Sequence, residues 1–469
     1  MKIVTDNKQV NNSVSIAFDD INGNIKEFNS SYDGRLLNVL MAGADYDTPW
    51  TRDASINVYN GFCFMNREVS LNTLMSVLEK REEKTYIGGQ YWDAIIWALG
   101  AYQYYLVSHD TEFLNTAYEA ISNSLSYYEE NEFSEDYQLF RGPAVYGDGV
   151  SAYPHQYGFS GKEGCILGYV NFNKDKINDK GYGIPMHTLS TNAVYCIAYD
   201  IAEKMASVLN RKKEADDFSY HKENLKKVIR KHFVYDGERL KYIVGRFGDC
   251  LRQEGLGISF ASMANIVDIE AFEHIFISKY GIPCVFPNYS RYNIENEYGR
   301  HCGTIWPHVQ CFFANEALKQ GKHDMFDFEF KKLTELSNRD KQFYEIYHPD
   351  TGEIYGGLQE HWKTDGLFRL KSCEHQTWSA TGYLSLLLYG FGGLNINEDK
   401  IVFNPYLNEM IAELEFIDLK INEMSVNLKV KGKGNMIESI KVNGESVTDN
   451  CLRTNLKGEY NIHIMVRES

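Results

Sequence analysis

The chain has 469 residues, 43% of them hydrophobic, which provides a sizeable core and argues against disorder. A formal charge of −16 argues against nucleic acid or anionic membrane as the main partner, because both repel an acidic surface; a neutral ligand fits. Nine cysteines with neither a spacing framework nor a CxxC pair point to free thiols in a reducing cytoplasm, not to disulfides or structural zinc.

Residues 1–12 are polar and lack the apolar run of a signal peptide, so none is expected. No stretch reaches the roughly 18 apolar residues of a membrane span. Residues 1–38 show short alternating segments with Asn and Gly turns, which predict strands leading into the main body. Residues 54–80 predict an inner helix with a break.

Residues 92–107 (WDAIIWALGAYQYYLV) are apolar nearly all round, as in a helix buried on every side. Residues 111–130 follow with Leu114, Ala117, Tyr118, Ile121, Leu125 and Tyr128 at three- and four-residue steps, a one-sided outer helix. The inner–outer alternation returns at 189–209 with 212–233, at 258–266 with 268–280, and at 304–318 with 323–338. Residues 376–390 form a last inner helix. Four such hairpins with two further inner helices, roughly six units in sequence, predict a mainly α fold, an (α/α)6 barrel. A stack of helical repeats is the rival; the units share no sequence, and long polar loops suit a barrel mouth.

After Gly393 the period becomes two, with turns such as Lys431-Gly432-Lys433-Gly434-Asn435. The expected organisation is therefore a barrel over residues 1–395, with an N-terminal β lead-in over about 1–40, and a small antiparallel β domain over 396–469.

Four polar–aromatic segments lie at helix starts or in loops. In Asp47-Thr48-Pro49-Trp50-Thr51-Arg52-Asp53, an adjacent Arg and Asp suit forked hydrogen bonds to neighbouring sugar hydroxyls, with the Trp indole against the ring. Helix capping with a salt bridge would explain them equally. In Tyr146-Gly147-Asp148-Gly149, tyrosines and glycines surround an Asp, the partly desolvated setting a general acid needs near neutral pH. An ordinary Asp-Gly turn is the plainer alternative.

Arg300-His301-Cys302-Gly303-Thr304-Ile305-Trp306-Pro307-His308 opens an inner helix, with Pro in its first turn. Its two histidines lack carboxylates at a chelating step, so no metal is expected. Glu345, in Phe343-Tyr344-Glu345-Ile346-Tyr347-His348-Pro349-Asp350-Thr351-Gly352, is placed to deprotonate a water, unless it only forms a loop salt bridge. Glu374, before Trp378 and Ser379, is either a sugar ligand or an N-cap contact.

In this order these residues resemble the six-hairpin glycosidases: glucoamylases, trehalases and processing α-glucosidases. Trp50-Thr51-Arg52-Asp53 resembles the glucoamylase segment whose Arg and Asp bind the terminal sugar. Gly303-Thr304-Ile305-Trp306 is similar to the Gly-x-x-Trp segment of the processing α-glucosidases. Glu345-Ile346-Tyr347-His348-Pro349-Asp350-Thr351-Gly352 resembles their Glu-x-Tyr-x-Pro-x-Thr-Gly segment, whose Glu is the general base. Trp378-Ser379 resembles their Trp-Ser near the final inner helix. The Ser-Gly-Trp-Asp segment that carries the acid in relatives is absent, so Asp148 is assigned by order and setting, with Asp93 and Glu163 as further candidates.

The resemblance implies an exo-acting, inverting, α-glucosidase-like hydrolase of an oligosaccharide or glycoside that needs no metal or organic cofactor. Asp148 would protonate the glycosidic oxygen and Glu345 would activate water. Trp50, Arg52, Asp53, Trp92, Asp93, His301, Trp306, Trp362 and Glu374 would hold the terminal sugar. Three other readings remain on the same barrel. A disaccharide phosphorylase would bind phosphate near Lys371 and His375. A sugar epimerase would use histidines among His301, His308, His348, His361 and His375. A non-catalytic sugar-binding protein would show no turnover.

Overall fold

The computed structural model describes residues 1–157, 164–169, 181–360 and 366–468. Helix α1 (Lys8–Gly23) starts where the Asn7 side chain accepts from the N–H groups of Gln9 and Val10. It buries Val10, Val14, Ala17 and Ile21 along one stripe. A helix thus replaces part of the expected β lead-in, because these apolar residues step by four, three and four, a helical period. Only β1 (Lys2–Thr5) and the hairpin of β2 (Ile25–Asn29) with β3 (Leu36–Leu40) are extended there.

The break expected within 54–80 is present. Helix α2 (Thr51–Asn57) runs into a wider turn, Val58–Phe62, where Gly61 sits at φ 111°; after Asn66 the chain restarts as α3 (Arg67–Ser76). A side chain at Gly61 would be strained at that φ, and its Cβ would collide with Leu388 Cδ1.

Helix α4 (Trp97–Ser108) is buried along its whole length except at Ser108, and Trp97 Nε1 donates to the Leu74 carbonyl at 3.0 Å. Each fully buried Leu, Ile or Val contributes roughly 1.5–3 kcal/mol, so an all-apolar helix belongs at the centre. Helix α5 (Thr111–Glu132) is capped by Asp110, whose carboxylate accepts from Phe113 N at 2.9 Å. The alternation continues through buried α6 (Leu189–Val208) and α7 (Lys212–Phe233), which buries only Ala215, Leu225, Ile229 and Phe233.

Helix α8 (Gly255–Met263) follows, but the outer helix expected over 268–280 is only a short 3-10 turn, Ile269–His274. Ala271 and Phe272, its buried residues, are adjacent and do not form a helical stripe. Helices α9 (Pro307–Lys319), α10 (His323–Asp340) and α11 (Thr377–Ser385) complete the helical part. A hairpin of β4 (Leu358–Glu360) and β5 (Leu367–Arg369) precedes α11.

The contacts between buried helices are cyclic: α2 touches α4, α4 touches α6, α6 touches α8, α8 touches α9, α9 touches α11, and α11 returns to α2. From outside, α5 packs on α4, α7 on α6, α10 on α9, and α1 on α10 and α11.

Strands β6 (Glu413–Ile421), β7 (Met424–Gly432), β8 (Met436–Val442), β9 (Glu445–Val447) and β10 (Gly458–Arg467) follow. With β1 they build a six-stranded sheet in the order β1-β6-β7-β10-β8-β9. β7 and β10 pair in parallel, so the sheet is mixed where an antiparallel one was expected. Alternation fixes which residues face the core, but it carries no information on strand direction. Among the described residues no helix is long and apolar enough to cross a membrane, and no two cysteines are joined in a disulfide.

Candidate active site

The buried helices start at one end of the molecule, and the segments entering them line a cavity of about 220 Å³. Trp50, Arg52 and Asp53 come from the start of α2, Tyr146 and Asp148 from the loop before α6, and His301 and Trp306 from the approach to α9. Glu345 and Trp378 come from the approach to α11 and its first turn, and Gln359 from β4. Seven of the sequence candidates therefore line one cavity: Trp50, Arg52, Asp53, Asp148, His301, Trp306 and Glu345.

Glu345 is buried, and donors meet both its oxygens. Tyr46 donates its hydroxyl to Oε1 at 3.0 Å, while Arg300 Nη2 donates to Oε2 at 2.6 Å and Cys373 N at 3.4 Å. Burial, then the charge of Glu345, pushes the Tyr46 phenol far up, so it stays a donor. Burial works against the charge on Arg300, but Glu345 and its neighbours outweigh that and hold the guanidinium above its usual range.

Asp148 follows a turn in which Tyr146 takes a left-handed φ of 60°. The Tyr153 hydroxyl clamps that turn, accepting from Ala144 N at 3.0 Å and donating to the Gly147 carbonyl. His301 Nε2 lies 3.5 Å from Asp148 Oδ1. Burial, with Arg300 and Arg52 nearby, drives the His301 imidazole well below its usual range, so a neutral ring faces Asp148. That ring stacks on Trp306 at 5.0 Å between centroids.

On the same wall Arg52 Nη1 lies 3.2 Å from Asp93 Oδ2. Burial raises Asp53 to about 7, Arg52 pulling it down while Glu345 and Asp93 push it up. Burial likewise raises Asp93 to about 6, against Arg52. Trp50 Nε1, Arg52 Nε, Asp53 Oδ2 and Trp378 Nε1 are buried polar atoms without a hydrogen-bond partner. Such atoms are costly unless the polar groups of a ligand or solvent complete them.

Other sequence candidates sit elsewhere. Asp93 stands behind Arg52 and away from the cavity wall, and Trp92 is fully buried with its ring edge-on to Tyr91. Glu374 is exposed and accepts from the Tyr344 hydroxyl at 3.4 Å. Trp362, His361 and Glu163 lie outside the described residues. Lys371 is exposed, and exposed His375 Nδ1 is 2.6 Å from Asp20 Oδ1. Among the described residues no three His, Cys, Asp or Glu side chains gather closely enough to hold a metal ion.

Tyr46, Arg300 and Gln359 escaped sequence reading. Tyr46 stands four residues before Trp50 and Arg300 directly before His301, so proximity to a motif was their only signal. Gln359 had none. It is wedged between Gly149 and Gly164, where a Cβ would lie 2.5 Å and 2.7 Å from its side-chain amide.

Residues 93–379 match the family described as Mannosylglycerate hydrolase MGH1-like glycoside hydrolase domain. Among solved structures, one described as a sialidase aligns with a TM-score of 0.66 at 12% identity, over 95% of this chain and 40% of its own. A GH78 family rhamnosidase of a Bacillus species aligns with a TM-score of 0.61 at 12% identity, over 100% of this chain and 44% of its own. A GH63 mannosylglycerate hydrolase from Thermus thermophilus, in complex with glucose, aligns with a TM-score of 0.54 at 12% identity, over 80% of this chain and 99% of its own. The chain thus spans less than half the length of the first two, and at such identity all three speak to fold alone. No curated protein matches the chain by sequence.

Proposed function

The chain belongs to the MGH1-like glycoside hydrolase family, and from that premise we propose that it is an exo-acting, inverting glycoside hydrolase. The cyclic order of helix contacts supports reading its helical part, within residues 1–395, as an (α/α)6 barrel with the site at the mouth, while the β domain of residues 396–469 takes β1 into its sheet. The observation that carries the function is the shared cavity: Asp148 and Glu345 both line it, and its other side chains include buried donors and acceptors that make no hydrogen bond.

About 220 Å³ is below the roughly 300–1,000 Å³ of pockets for drug-sized ligands and suits one sugar ring at a chain end. Arg52 and Arg300 both face carboxylates, so the described residues of the cavity offer no spare cation and fit a neutral sugar. Asp148 gives its proton to the glycosidic oxygen. Glu345 takes a proton from the attacking water, which adds to the opposite face of the anomeric carbon and inverts it. The α-glucosidase-like preference rests on the Glu345–Gly352 motif and on a structural neighbour described with bound glucose.

The test is a panel of α- and β-linked aryl glycosides and disaccharides, assayed with and without phosphate, the first-formed sugar being followed by proton NMR. Phosphate-independent release of a monosaccharide of inverted configuration is expected. Turnover that requires phosphate, or a retained anomer, would refute the mechanism.

A further inference from the structure

The far ends of the same helices enclose a second cavity of about 690 Å³, closed on one side by segments that lead into the C-terminal strands. Asn315 lies nine residues beyond Trp306 on α9, so this cavity stands about 14 Å along the helix from the catalytic pocket. The size is within the range of ligand pockets. Leu99, Leu106, Ile197, Ile201, Met263 and Ile396 give it an apolar wall.

Its polar groups divide into two kinds. The cations are engaged: Lys204 with Asp200 at 2.7 Å, Lys222 with Asp200 and Glu203 at 3.0 and 2.6 Å, and Lys226 with Glu223 at 3.6 Å. Lys319 pairs with Glu316 at 3.4 Å. Several neutral groups are engaged too, the hydroxyls of Tyr102, Tyr389 and Tyr406 donating to Glu398, the Tyr59 carbonyl and Asp327, but three side chains keep unused polar atoms. Gln103 is only 9% exposed, and its amide finds no hydrogen-bond partner among the described residues. Asn315 uses Nδ2 on Ser385 Oγ at 3.0 Å, but its Oδ1 is buried without a partner. The Tyr59 hydroxyl has no partner either, although the ring is held in place by stacking on Phe312.

One buried amide oxygen, with an accessible amide and phenol left unspent, beside a wall for C–H groups and with local charges already paired, suits a neutral polyhydroxylated ring. An anionic ligand would have to break existing ion pairs. We propose that this cavity is a second carbohydrate site, binding a neutral pyranose through Gln103, Asn315 and Tyr59. It needs no turnover and holds whatever reaction the other end performs.

The test uses the full chain, with methyl α-D-glucopyranoside, methyl α-D-mannopyranoside and L-rhamnose as probes and sorbitol as the open-chain control, followed by calorimetry and saturation-transfer NMR. A Trp50→Ala/Asp53→Asn double variant disables the catalytic pocket. At least one sugar is expected to bind that variant. Gln103→Leu in the same background should weaken binding about tenfold, as does the loss of one hydrogen bond from a buried group.

Replacing an unspent buried amide by Leu should preserve the fold. Asn315→Leu gives a second reading should the melting temperature of Gln103→Leu collapse. In the wild-type background Gln103→Leu should leave turnover unchanged, so a failed activity assay and a failed binding assay remain separate results. Absence of sugar binding in the double variant, an affinity unaffected by both Leu substitutions, or equal binding of sorbitol would overturn the proposal.

Discussion

Arg300 Nη2 lies 2.6 Å from Glu345 Oε2 inside the catalytic wall, and the two side chains are 13% and 3% exposed. Arg300 also donates to the carbonyls of Gly356 and Lys371, at 3.0 and 3.1 Å. One guanidinium therefore ties the Glu345 loop to the segments that flank the β4–β5 hairpin. Removing one partner of such a pair leaves a buried charge uncompensated, at about 3–5 kcal/mol. Arg300→Met should cut kcat/KM more than about 100-fold and lower Tm; Arg300→Lys, which keeps the charge but loses the fork, should fall between. Wild-type turnover in Arg300→Met would show that Glu345 does not depend on it.

Asp53 offers a pH signature. Burial raises it to about 7, and its Oδ2, 3.7 Å from Arg52 Nε, accepts no hydrogen bond from the described residues. The ionised form is the stronger acceptor for sugar hydroxyls. In the free protein kcat/KM should therefore rise as pH increases through about 7. Asp53→Asn should abolish that limb and reduce kcat/KM by about 10–100-fold, the value of a charge-assisted hydrogen bond. A profile identical in shape for both proteins would contradict this role.

Glu254 sets a pH dependence on folding instead. Burial pushes its carboxyl up to about 8 from an ordinary 4.5, against hydrogen bonds from Ser190, and its Oε1 has no partner. The folded state therefore binds more protons than the unfolded chain between these values, so this contribution is full below about 4.5 and is lost as pH rises through about 8. The slope reaches about 1.4 kcal/mol per pH unit at its steepest. Denaturation of wild type and Glu254→Gln at several pH values should show their stability difference moving against the wild type as pH rises across that window. A constant difference would show that Glu254 titrates alike in both states.

The helical alternation was legible because burial writes itself locally: α4 is apolar on every side, and α7 on one. Glu345 was legible for the same reason, since its motif is contiguous. Its partners were not. Tyr46 lies 299 residues away in sequence and Arg300 lies 45 away, and only the fold brings them to the two carboxylate oxygens. α1 was hidden because Asn11, Asn12, Asn22 and Gly23 look like turn residues, although Val10, Val14, Ala17 and Ile21 keep a helical period through them. The parallel pairing of β7 with β10 was hidden because a period of two is the same in either direction.

The assignment of Glu345 as the base that activates water is tested most directly by kcat for Glu345→Gln beside wild type, on the best aryl glycoside from the panel, in phosphate-free buffer. The amide keeps the shape and can still accept from Tyr46, but it cannot take a proton. Kcat is expected to fall by about 100–10,000-fold, the range for loss of a general base, with Tm close to wild type. Activity within a few-fold of wild type, from a folded variant, would contradict the assignment of Glu345 as the base.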